Sequence, residues 1–179
     1  MIDTLLVFYY NSLDAVVDFG ERGGPIINYI GIVIFFMWFL VFERFWYYSV
    51  GYRALHRDLI EEWSQRTELV SWYAQNIRAD LLSQGKMEIN RNISLIESCF
   101  MLCPLLGLLG TVTGMIDVFQ VLAVTGGGDA KPMAGGVSRA TLPTLSGMVG
   151  ALSGYIALLF VRAQARRRER ILEFNLPSS

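Results

Sequence analysis

Charge is what this sequence has least of. Asp, Glu, Lys and Arg together make up 17% of its 179 residues, where ordinary soluble domains carry about 25%. At the same time 53% of the residues are hydrophobic and the mean hydropathy is +0.41. A soluble chain this short cannot hide so much apolar surface, so the excess faces lipid or partner subunits. Histidine occurs once, at His56, and cysteine twice, at Cys99 and Cys103. His56 is remote in sequence from both, so no metal site is expected. Cys99 and Cys103 are four residues apart and share a helix face, an arrangement that does not easily form a disulfide. They read as two small residues at the start of a buried helix. Phosphate loops, catalytic triads and nucleic-acid motifs are missing too. No cofactor, enzymatic activity or nucleic-acid partner is expected.

A positive leader is also lacking. Ahead of the first apolar run stand Asp3, Asp14, Asp18 and Glu21 against a single Arg22. A secretory leader opens with basic residues, so the first span is expected to be retained.

Three apolar runs approach or exceed the roughly 20 residues a bilayer-crossing helix needs. They cover residues 25–42, 99–124 and 140–161. Glu43, Arg44 and the aromatics Trp46, Tyr47 and Tyr48 close the first, as an interfacial belt would. Lys and Arg number one in 1–24, seven in 43–98, two in 125–139 and five in 162–179. Under the positive-inside rule these flanks alternate out, in, out, in. The expected fold is therefore all-α, with three transmembrane helices, a periplasmic N-terminus and a cytoplasmic C-terminus. Residues 1–24 form a periplasmic segment with an amphipathic helix from Ile2 to Phe19, and 125–139 form a periplasmic loop. Residues 162–179 form a basic cytoplasmic tail.

Residues 43–98 lack proline, and Leu55, Leu59, Glu62, Trp63, Arg66, Leu69 and Val70 recur near helical spacing. This cytoplasmic domain reads as a helix prolonging the first span, a turn near Ser83 to Gly85, and a second helix entering the second span. Continuous helix from Lys86 to Val124 would be about 58 Å long. Between the second and third spans, Thr125 to Asp129 reads as a glycine-rich turn.

The second and third spans differ in kind from the bulky, aromatic first. Gly107 adds a further small residue to the second span. Gly110 with Gly114, Gly147 with Ala151, and Gly150 with Gly154 are small pairs four apart, which lets helix backbones approach inside a membrane. Packing within one subunit and packing between subunits both fit; small residues on more than one face favour an oligomer of paired helices. Thr111, Thr113, Thr141, Thr144, Ser146 and Ser153 add hydroxyls. Each can bond a backbone carbonyl one turn earlier, or together they can form a polar seam. Asp117 is the one ionisable residue inside a span, toward its outer end. It reads as a proton or partner contact, or as an interfacial or intersubunit polar contact. Pro143 falls in the first turn of the third span, and Pro104 marks a kink in the second. Arg166, Arg167 and Arg168 read as a cytoplasmic stop and an anchor to membrane lipid headgroups.

At Pro104 to Met115 (PLLGLLGTVTGM) and Gly136 to Met148 (GVSRATLPTLSGM), the chain resembles the ExbB/TolQ/MotA proton-channel family, and most of all short ExbB proteins of accessory TonB systems. The resemblance implies a bacterial inner-membrane subunit that forms a homopentamer around the two helices of a dimer of an ExbD-like single-span protein, with TonB as a further partner. Protons are then the coupling ion, and TonB-dependent import of iron siderophores or similar cargo is the task. It also implies that Thr111 and Thr144 line the lumen. Arg139 stands where better-known members have a glutamate, so the titrating carboxylate falls to the partner's aspartate, with Asp117 and Arg139 near the pore mouth. A five-fold ring around two helices cannot match symmetry, so protonation can switch which subunit faces each acid. A TolQ-like subunit serving envelope maintenance, and a passive scaffold without an ion path, are the alternatives.

Overall fold

The computed structural model describes residues 23–64, 71–125 and 130–176, preceded by Val7, Asp14, Phe19 and Gly20. They are almost entirely helical. In order come α1 (Pro25–Trp46), a π-helical turn (Tyr47–Gly51), α2 (Tyr52–Ser64), α3 (Trp72–Asn90), α4 (Ile93–Thr125) and α5 (Ala130–Asn175). Three stretches are long and apolar enough to cross a bilayer: Pro25–Gly51, Trp72–Val124 and Gly135–Asn175. Most of the expected N-terminal helix, the glycine turn 126–129, and Arg66, Leu69 and Val70 lie outside the described residues.

Contacts divide the chain into two units, Met1–Phe36 with Cys99–Ser153, and Met37–Ser98 with Gly154–Ser179. The first unit is held by three apolar helix segments that each turn one stripe inward. On α1 the inward residue is Ile30, while Tyr29, Ile32, Phe35 and Phe36 are exposed, as suits contact with lipid or another chain. On α4 the stripe is Cys99, Cys103, Gly107, Gly110 and Val118, and on α5 it is Ala140, Pro143, Gly147 and Gly150. Spacings of three, four and eight keep each set on one face.

Small residues on these stripes bring α4 and α5 together. A Cβ added at Gly147 would sit 2.4 Å from the carbonyl oxygen of Cys103. One added at Gly107 would lie 3.0 Å from Thr144 Cα, and one at Gly114 would lie 2.8 Å from Ala140 Cα. The obstacles are backbone atoms, which cannot step aside. Cys103 is fully buried beside this contact; its thiol donates to the Cys99 carbonyl at 3.3 Å, and both cysteines are free.

One expectation about proline changes. Pro143 is not in a first turn, because α5 opens at Ala130 and carries Pro143 in its interior. Ala130, Lys131 and Pro132 suit the early start: good helix formers with a proline in the first turn. The ring of Pro143 is buried over Gly110, whose added Cβ would lie 2.3 Å from Pro143 Cβ. Pro104 lies inside α4, which runs unbroken from Ile93 to Thr125.

The second unit corrects the expected turn at Ser83 to Gly85. Helix α3 passes straight through these residues and the break falls at Arg91 and Asn92. Gly85 is a packing residue, since a Cβ there would meet Leu172 Cδ2 at 2.3 Å and Leu59 Cδ1 at 3.2 Å. The break itself uses Arg91 in extended geometry and Asn92 at φ 63°, a region that asparagine tolerates better than most residues. Asn92 then starts α4 by accepting from Ile96 N at 3.1 Å, and its side-chain amide donates to Glu43 Oε2 at 3.2 Å.

Glu43 and Arg44 therefore do more than close a span. Arg44 is 1% exposed, and two of its nitrogens donate to the Glu43 carboxylate at 2.8 Å each. A third donates to the Glu88 carbonyl at 3.2 Å, beside Tyr48, whose hydroxyl donates to Ile89 O at 3.0 Å. A buried guanidinium without such partners would be strongly destabilising. Within the expected basic tail, α5 continues to Asn175, and Ala165, Leu172 and Leu176 are buried. Arg162 pairs with Glu97 at 2.5 Å and Lys86 with Glu173 at 2.6 Å, part-exposed bridges worth about 0–1 kcal/mol each.

Gly147→Ala should destabilise the protein by about 1–3 kcal/mol through overpacking. Gly135→Ala, at a position with open space within 4 Å, should leave thermal unfolding in detergent unchanged. Equal melting temperatures for the two variants would refute the close approach. Separately, Asn92→Val should lower stability by about 1–2 kcal/mol more than Asn92→Gly, because only the former strains the left-handed backbone.

Candidate functional site

The crossing of α4 and α5 gathers most of the residues expected to carry function. Gly107 is its centre. Because this residue has no side chain, its carbonyl is open to the neighbouring helix, and Thr144 Oγ1 donates to it at 3.1 Å. Thr111 lies one turn further along α4 and donates to Leu108 O at 2.7 Å. Both threonines are half-buried.

Three more hydroxyls behave as Thr111 does. Thr113 donates to Leu109 O and Gly110 O at 3.1 Å, Ser146 to Leu142 O at 2.8 Å, and Ser153 to Gly150 O at 2.8 Å. A hydroxyl has one proton and two lone pairs. With its proton committed to a backbone carbonyl, each of these oxygens offers a visitor only lone pairs. Thr144 alone among them makes its bond across helices rather than within one.

The small residues take one role within this chain. Gly107, Gly110, Gly114 and Gly147 face the partner helix of the same subunit, and Gly150 faces Ile34 of α1, whose Cδ1 would lie 2.4 Å from an added Cβ. Ala151 is half-buried and Gly154 buried. Sequence spacing pointed to small residues on several faces; the buried glycines of α4 and α5 fall on one face each.

Asp117 is exposed on α4, next to the buried Val118. Val118 fits against Gly136, whose added Cβ would lie 2.3 Å from Val118 Cγ2. Arg139 lies within α5, one turn beyond Gly136, with its side chain outside the described residues. The backbone thus places both at the Val118–Gly136 end of the helix pair. Arg166 and Arg167 are exposed, whereas Arg168 is half-buried. The Arg168 guanidinium lies 4.6 Å from the Tyr48 ring and 5.2 Å from the Tyr52 ring. Arg168 also donates to Tyr48 O at 2.5 Å and Gln164 Oε1 at 2.8 Å.

One participant escaped the sequence reading, and another was not set apart from its neighbours. The Gly107 carbonyl has no signature beyond a glycine facing a threonine. Arg168 looks like its neighbours in a basic run, and only the period of the α5 stripe would have singled it out.

Comparison with known proteins finds relatives of this chain. The model of the MotA/TolQ/ExbB proton channel family matches residues 53–173. An ExbB-like biopolymer transport protein of Synechocystis is 37% identical over 48% of this chain and 34% of its own length. The biopolymer transport protein ExbB of Helicobacter pylori is 35% identical over 40% of this chain and 49% of its own. One from Vibrio cholerae is 31% identical over 53% and 42%. The chain thus spans about half or less of the curated relatives it matches. No solved structure matches it at a comparable level. With the family model covering both halves of the α4–α5 crossing and the segment between α1 and α4, the chain belongs to the MotA/TolQ/ExbB proton channel family.

Proposed function

We propose that this chain is the channel-forming subunit of an ExbB–ExbD-type motor in the bacterial inner membrane, coupling the proton-motive force to TonB-dependent import. Family membership supports the proton channel, and the names of the three relatives favour an ExbB role over a TolQ one. The alternation of Lys and Arg along the chain supports a periplasmic N-terminus and a cytoplasmic C-terminus. In this reading several copies surround the spans of a smaller partner that brings an aspartate, and Thr111 and Thr144 face it.

The observation that carries the mechanism is the committed proton of each hydroxyl. Thr111 and Thr144 donate to Leu108 O and Gly107 O, so toward the partner they act as acceptors. A protonated carboxyl or a water can donate to them; a bare carboxylate cannot be served without breaking a bond to the backbone. The threonine ring therefore favours the neutral acid, and raises its affinity for a proton. Deprotonation on the opposite side of the membrane removes that match and releases the acid to another subunit. Each proton crossing 100 mV supplies about 2.3 kcal/mol, so several are needed for mechanical work on a receptor. Arg139, at the end of the pair, repels incoming cations and attracts the acid. Asp117 provides a polar contact at the same end.

Thr111→Val and Thr144→Val, each co-expressed with an ExbD-like partner, should assemble yet lose at least about tenfold in proton flux, as expected for removing a positioned proton-transfer partner. Thr144→Ser, which keeps the hydroxyl, should restore most of it. Flux in proteoliposomes checks this, and wild-type flux in both valine variants would remove the acceptor ring from the mechanism. Growth on a siderophore as sole iron source, compared with tolerance to detergent stress, separates TonB-dependent import from envelope maintenance.

A further inference from the structure

Two cavities among the described residues of the second unit differ in charge. One, about 310 Å³, is lined by Asn90, Glu97, Arg162 and Arg166 among others, and Glu97 neutralises Arg162 there at 2.5 Å. The other, about 470 Å³, is lined by Tyr48, Ser49, Tyr52, Gln164, Arg167 and Arg168, with one aliphatic residue. It has two guanidinium groups on its wall and no carboxylate.

That wall is held in place before any ligand arrives. The π-helical turn sets one side, its fifth-residue bond running from Tyr52 N to Tyr47 O; such turns recur at functional sites. Arg168 is fixed between the two tyrosine rings and by its bonds to Tyr48 O and Gln164. The Tyr52 hydroxyl, in turn, donates to Arg168 O at 3.1 Å. Gln164 accepts from Arg168 through its oxygen, which leaves its amide nitrogen as the donor group. Arg167 is exposed and has no acidic partner among the described residues. The chemistry this favours is a compact anion with several acceptor oxygens. Two of its lining residues, Tyr48 and Ser49, fall at the end of the apolar stretch Pro25–Gly51, next in sequence to Trp46 and Tyr47, residue types that settle at headgroup level.

We propose that this cavity is a phosphate-binding site at the bilayer boundary, occupied by the headgroup of an anionic phospholipid or by inorganic phosphate. The lipid source rests on the reading that Pro25–Gly51 crosses the membrane; the phosphate chemistry does not. Native mass spectrometry of the full chain, purified in detergent with equal phosphatidylglycerol and phosphatidylcholine, tests it. Wild-type protein should retain phosphatidylglycerol selectively, and Arg167→Gln should cut that retention about fivefold, the effect of one basic residue at a charged membrane surface. Arg170→Gln, an exposed arginine outside the cavity, should change it less than twofold. If retained phosphatidylglycerol is displaced by millimolar inorganic phosphate in wild type, the soluble anion shares the site; if it is not, the lipid is the occupant. Equal losses for Arg167→Gln and Arg170→Gln, or no selectivity in wild type, would overturn the proposal, since general attraction to a basic surface predicts both. Proton flux is not the readout, so failure here leaves the channel reading untouched.

Discussion

The closeness of two backbones governs what this chain can be. At the Gly147–Cys103 contact there is no room even for a methyl group, and the obstacle is a carbonyl rather than a flexible side chain. In a membrane the apolar side chains gain little by meeting one another instead of lipid, so association depends on dense packing and on polar bonds between helices. The α4–α5 crossing supplies both. Its glycines let the helices touch, and that contact brings Gly107 O within reach of the Thr144 hydroxyl. The orientation of the Thr144 hydroxyl follows from the packing rather than being added to it.

The second unit solves a different problem by different means. Its segments are not uniformly apolar, so buried charge and backbone bonding replace small-residue contact. Arg44 satisfies its guanidinium on Glu43 and on the carbonyl of Glu88, close to where α3 ends, and Asn92 joins the same carboxylate just where the chain reverses its local handedness. Removing Glu43 would leave Arg44 buried with half its partners, which is why this pair is not an exchangeable surface bridge.

The spans were legible because hydropathy alone specifies them, and the small residues of α4 and α5 were legible because Gly and Ala at such spacing have few other uses. What sequence left open was which face they serve. A spacing of four fits contact within a chain and between chains equally, and only the partner atoms at Thr144, Ala140 and Pro143 decide it for these positions. Gly85 misled for a related reason: a glycine that admits Leu172 and one that permits a turn look the same in a string of letters. The true break at Asn92 rests on a tolerance for left-handed geometry that Asn90, two residues earlier inside α3, shares without using. Arg44 was read as closing the first span and Arg168 as one of three headgroup anchors, whereas each falls on the inward stripe of its helix, a position that periodicity assigns and charge obscures.

The buried thiols have a practical consequence. Cys103 has no exposed surface and Cys99 has very little, and both sit where α4 meets its neighbours. Maleimide reagents would find nothing to alkylate on the folded native chain. A cysteine introduced at Asp117 or elsewhere on an exposed face would then be the sole labelled position. Accessibility mapping from either side of the membrane can thus proceed without first stripping the natural sulfhydryls from the protein.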